Sequence, residues 1–134
     1  MSIYSEVFTV VLREFSQRIN GFSRVLNRKR SIGELCGVPD YVSKLTISDL
    51  LDWFKRENPR DRFTNIVIAP NKNFEFKLKM SSLISDNLDL FIFQIIYNQK
   101  KKQIITIRAV QYGIIESGLA QALADDGGVL IIKG

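Results

Sequence analysis

The sequence predicts an α+β fold: N-terminal helices followed by β-β-β-β-α-β, with one mainly antiparallel sheet and helices packed on it. Three observations predict it. Apolar residues recur at three- and four-residue spacings through the first half, up to Phe54. From Phe63 onward the spacing falls to two. Near the end, a helical stretch breaks at Asp126-Gly127-Gly128 before the strand-like VLII.

The elements follow in order. Ile3, Val7, Phe8, Val11, Leu12, Phe15 and Ile19 line one face of a helix, with Glu6, Arg13, Ser16 and Gln17 on other faces. Asn20-Gly21 is a plausible stop, because both residues tolerate the left-handed conformation that follows a helix. Phe22, Val25 and Leu26 then continue an apolar face in a second short piece.

The stretch SIGELCGVPDYVSKL sounds like a helix-turn-helix. Gly33 and Gly37 have the interval of the small residue and the turn glycine. The apolar residue due six positions later falls on Ser43, with Val42 one position early. One residue of slip turns a helical side chain through about 100°, which takes it off the packing face. The reading favoured here is a short helix that packs Leu35, Cys36 and Val38 onto the core.

Thr46-Ile47-Ser48-Asp49 has the form of a capping box. It opens a helix with Leu50, Leu51 and Phe54 on one face, which ends at Asn58-Pro59. FTNIVIA and FEFKLKM, separated by PNKN, read as a hairpin. In its second strand Phe74, Phe76, Leu78 and Met80 point one way and Glu75, Lys77 and Lys79 the other. LDLFIFQIIY and QIITIRAVQY, joined by NQKKK, read as a second hairpin. Its first strand is apolar on both faces and therefore belongs at the centre of the sheet. Residues 114–124 form a helix, with Ile115, Leu119, Ala122 and Leu123 on one side.

The 134 residues suit one domain, 1–134. With 46% hydrophobic and 25% charged residues, disorder is not expected. Cys36 is the only cysteine, so no internal disulfide forms. MSIYSEVFTVVLREF lacks the basic start and apolar run of a signal peptide. The longest apolar stretches fall far short of the roughly 20 residues a membrane helix needs. The expectation is a cytoplasmic protein with no membrane contact.

No histidine occurs, which removes imidazole acid–base chemistry, His-assisted nucleophiles and imidazole zinc sites. The phosphate-cradling glycine loops are absent too, and no cofactor or metal is expected. Glu75-Phe76-Lys77 resembles the E-x-K of a strand in the PD-(D/E)xK nucleases, where carboxylates hold magnesium. The nearest upstream aspartate, Asp61, lies about seven residues along a strand from the point opposite Glu75, more than roughly 20 Å away. Two ligands of one metal do not stand so far apart.

The net charge is +5, which favours acidic partners such as nucleic acid. Arg24, Arg28, Lys29 and Arg30 form one basic cluster. Lys77 and Lys79, with Arg108, are expected to form a second on the wet face of the sheet, where Tyr112 shares a side with Arg108. The sequence thus favours a non-enzymatic binding or assembly module that acts through a protein partner or self-association. Nucleic-acid binding through those seven cations is the alternative, and a carboxylate-dependent nuclease ranks below both.

Overall fold

The computed structural model describes the backbone of residues 3–22 and 29–133 and the side chains of residues 5–18 and 29–133. It is an α+β fold built on one five-stranded, mainly antiparallel sheet. In chain order the elements are α1 (Ile3–Phe22), α2 (Ile32–Cys36), β1 (Asp40–Leu45), α3 (Ile47–Glu57), β2 (Thr64–Ile68), α4 (Phe74–Ser81), β3 (Phe91–Asn98), β4 (Gln103–Ile115), α5 (Ser117–Asp125) and β5 (Val129–Ile132). The strand order is β1-β4-β3-β2-β5, and only the β1–β4 pair is parallel.

Alternation along β3 sets up two cores. Phe91, Phe93, Ile95 and Tyr97 face α1, α2 and α4, where they meet Val7, Val11, Phe15, Ile32, Leu35, Phe76 and Met80. Ile92 and Ile96 face the other way, toward Leu50, Trp53 and Phe54 of α3 and Leu119 and Leu123 of α5. Seven consecutive residues of β3 are buried, as its apolar character on both faces requires. The β3–β4 hairpin forms where the sequence places it, with a bulge at Ile96/Tyr97.

Two segments differ from the sequence reading. Residues 74–80 are helix α4, not the second strand of a hairpin, and residues 40–45, to which the sequence reading assigned no strand, are strand β1. FEFKLKM fits both periods, because alternate apolar residues also fall four apart. Phe76, Met80, Leu83 and Ile84 continue a helical stripe into the core. Asn73 starts that helix by accepting a hydrogen bond from the Phe76 N–H at 3.0 Å. Phe74 and Leu78, which the strand reading buried, are exposed.

At the other segment, α2 ends at Gly37, whose φ of +84° suits glycine. Pro39 leads into extended chain, and β1 adds to β4. Leu35 packs into the core as expected, whereas Val38 is 92% exposed. Helix α1 runs through Asn20 and Gly21 rather than stopping there. Val25 and Leu26 lie outside the described residues. Both capping boxes are closed, Ser31 with Glu34 and Thr46 with Asp49. Among the described residues no helix is long and apolar enough to cross a membrane.

The turn into β5 depends on Gly128. Its φ is +90°, and a Cβ there would stand 2.9 Å from the carbonyl oxygen of Ala69. The Gly128 carbonyl also accepts the Ala69 N–H at 2.8 Å. Gly128→Ala is expected to lower stability by more than about 1 kcal/mol, read as a lower urea midpoint at unchanged denaturant slope. An unchanged midpoint would mean that the β5 turn relaxes freely.

Candidate functional site

The more exposed of the two edge strands of the sheet is β1. Its outer side pairs with no described strand, and Asp40, Tyr41, Ser43 and Lys44 are exposed along it. The opposite edge strand, β5, also pairs with no described strand on its outer side, but its side chains are drawn in, with Val129 buried and Leu130, Ile131 and Ile132 half-buried. Three large apolar residues stand exposed beside the β1 edge: Val38, Tyr41 and Ile114. Val38 precedes β1, and Ile114 lies on the neighbouring strand opposite Lys44.

A polar network ties this edge to the centre of the sheet. Gln94, fully buried between Ile92 and Ile96 on β3, donates from Nε2 to the Leu50 carbonyl at 3.1 Å. Its Oε1 accepts from Arg108 Nε at 2.8 Å. Arg108 in turn donates from its guanidinium to Asp40 Oδ2 at 2.7 Å, and its planar head lies 5.1 Å from the centre of the Trp53 ring. One side chain on β4 thus joins β3, α3 and the edge strand. Gly113 brings β1 close as well, since a Cβ there would stand 2.9 Å from the Ser43 carbonyl oxygen.

The cations marked from the sequence are distributed as follows. Arg24 and Arg28 lie outside the described residues. Lys29 is exposed. Arg30 is only 5% exposed, pairs with Glu34 at 3.3 Å and forms a backbone bridge to Ile84. Lys77 pairs with Asp89 at 2.7 Å and Lys79 with Glu75 at 3.2 Å. Because Lys77 and Lys79 ride on α4, they sit on the opposite side of the sheet from Arg108. A single positive sheet face shared by these three does not form.

Glu75-Phe76-Lys77 likewise lies on a helix rather than a strand, with Glu75 held by Lys79. Among the described residues no three of His, Cys, Asp and Glu gather where a metal ion would need them. The Cys36 thiol is half-buried at the end of α2. Burial pushes it up to about 12, against a smaller downward pull from Arg18. Tyr112 is also raised, mainly by burial, with Asn71 hydrogen-bonded to it and the Asp89 carboxylate nearby.

Comparison with protein-family models, with curated proteins and with solved structures finds no match.

Sequence reasoning expected a free edge from the terminal strand and the hairpins, and it missed both the edge strand at residues 40–45 and the Gln94–Arg108 link. A signal for the first was present: Tyr41 and Val42 are strong strand formers, and they follow the helix-breaking Gly37 and Pro39. For the second, a glutamine inside an apolar run was the only hint.

Two outcomes follow. Gln94→Leu strands the Arg108 donor and is expected to cost about 1–3 kcal/mol. Asp40→Ala, which removes a mostly exposed pair partner, should cost less than about 1 kcal/mol. Urea unfolding of both variants checks the order, and a costlier Asp40 change would reverse it. At about pH 8 only about one Cys36 thiol in ten thousand is ionised, so iodoacetamide should alkylate it in urea and not in the folded protein. Rapid alkylation of the native protein would restore Cys36 as a nucleophile candidate.

Proposed function

We propose that the chain is a non-enzymatic assembly module acting through protein–protein contacts, with the β1 edge as its contact strand and a second copy of the chain as its occupant. The observation that carries this reading is an exposed, unpaired edge flanked by Val38, Tyr41 and Ile114. A strand edge presents a row of backbone donors and acceptors that another extended segment completes. Exposed apolar side chains beside it give that pairing a hydrophobic component.

The charge order along β1 favours self-pairing. Antiparallel pairing of two copies centred on Val42 sets Asp40 of each opposite Lys44 of the other, on the same face as Val42. It sets Tyr41 opposite Ser43 on the reverse face. Opposite charges directly across a strand pair stabilise it. Asp40 is already steadied through Oδ2 by Arg108. The parallel register, by contrast, sets Asp40 against Asp40 and Lys44 against Lys44. The antiparallel form therefore makes one continuous ten-stranded sheet from two five-stranded ones.

Val38→Glu with Tyr41→Glu tests this reading, because both side chains are exposed and neither belongs to a core cluster. Sedimentation of the unaltered protein should show a concentration-dependent dimer. The double variant should be a folded monomer, since like charges then line the edge. Asp40→Lys with Lys44→Asp, which keeps the complementarity, should restore association relative to either single change. A wild-type protein that stays monomeric at all concentrations, or a double variant that dimerises equally well, would overturn the proposal.

A further inference from the structure

The end of the sheet at the β3–β4 hairpin gathers cations of a different kind. Lys100, Lys101 and Lys102 form the exposed hairpin tip. On one side of the tip an open groove is lined by Arg62 and Lys100 together with Phe63, Thr64, Asn98 and Gln99. On the other, a second open groove is lined by Arg13, Lys101 and Lys102 together with Glu14, Gln17 and Gln103. Arg13, Arg62, Lys100, Lys101 and Lys102 are all exposed. The one carboxylate in the second groove, Glu14, is engaged by Arg18 at 3.2 Å. None of the five cations has an ion pair among the described residues, in contrast to Arg30, Lys77, Lys79 and Arg108.

The tip is also held in shape. The Asn98 side chain accepts the Lys101 N–H at 3.1 Å, and Arg13 reaches the Lys102 carbonyl at 3.5 Å. Lys102 adopts a φ of +53°, a left-handed conformation that glycine or asparagine occupies at less cost.

We propose that this end of the molecule is a nucleic-acid site that grips the phosphate backbone of a duplex without reading its bases. The chemistry fits on three counts. Arg and Lys side chains interleaved with Asn, Gln and Thr are the groups that contact phosphate and sugar oxygens. The one aromatic ring lining the grooves, Phe63, is half-buried and packed against the core, so there is no open platform on which successive unpaired bases would stack. The grooves also lack the band of exposed apolar side chains with which a surface helix enters a lipid headgroup layer. A duplex, with one charge per about 1.7 Å of axis, presents phosphates to both sides of the hairpin tip at once. The site is separate from the β1 edge and does not depend on its pairing.

The test is fluorescence anisotropy of a labelled short mixed-sequence DNA duplex, and of the matching RNA duplex, titrated with the full chain at several salt concentrations. Five phosphate contacts predict about a 500-fold loss of affinity between about 50 and about 200 mM salt. Lys101→Gln with Lys102→Asn removes two charges and keeps a residue suited to the left-handed turn. It should cut that loss to about 40-fold at an unchanged thermal midpoint. Lys77→Gln with Lys79→Gln on α4 should leave binding as it was. The proposal is overturned if no duplex binds at low salt, if the hairpin variant keeps the wild-type salt dependence, or if the α4 variant loses binding instead. Binding to phosphatidylserine vesicles without binding to duplex would overturn it as well, and assign the patch to a lipid surface.

Discussion

The fold depends on one constraint: β3 is apolar on both sides, so the sheet must be covered on both. Phe91, Phe93, Ile95 and Tyr97 require one layer of helices, and Ile92 and Ile96 require another. Helix α1 alone does not cover the first face, and α2 and α4 complete it. Helices α3 and α5 cover the second, each from a segment that flanks an edge strand. A two-layer arrangement would leave one row of β3 in water, at about 1.5–3 kcal/mol for each large side chain exposed. Three layers therefore follow from a single eight-residue strand.

Within that apolar frame the exception is informative. Gln94 occupies a position on β3 where isoleucine would fit the pattern, and its amide is buried with both ends satisfied. A buried amide left unpaired costs more than the pairing gains, so the network holds β3, β4 and α3 in one register. The carbonyl of Leu50 fixes the first turn of α3, and Arg108 carries the constraint out to Asp40. The edge strand is thus aligned from the centre of the core, although its own outer side has no partner among the described residues. A contact strand held in this way loses little conformational freedom on pairing, and freedom not lost on pairing is affinity retained.

Legibility in the sequence tracked how many physical signals agreed. Helices α1 and α3 were plain because stripe and cap or length coincide, and the β3–β4 hairpin because two strand-like runs flank a polar turn. VLII after Asp126-Gly127-Gly128 was plain for the same reason. Residues 74–80 were misread because seven alternating residues satisfy both periods. Only the cap at Asn73 and the continuation to Leu83 and Ile84, beyond that window, select the helix. The strand at residues 40–45 was overlooked because it is short and is stabilised by its partner β4, more than sixty residues away. Such long-range pairing leaves no local period. The site was less legible than the fold, since an edge exists only once every other strand has found its neighbours.

Charge sorts in the same way, by what the finished fold leaves over. In the sequence all cations look alike, and the densest run, Arg24 to Arg30, drew attention first. In the fold Arg30, Lys77, Lys79 and Arg108 are each held by a carboxylate of the same chain. A paired cation that moves to a phosphate must leave its carboxylate unpaired, which offsets part of the gain. An unpaired, exposed one exchanges only water and mobile ions. Arg13, Arg62 and the three hairpin lysines are of the second kind, and they come together only because the middle of α1, the loop before β2 and the β3–β4 turn meet at one end of the sheet. The separation of the open edge from the unpaired cations gives the molecule two contact regions with different chemistry, one that pairs backbone and one that meets charge.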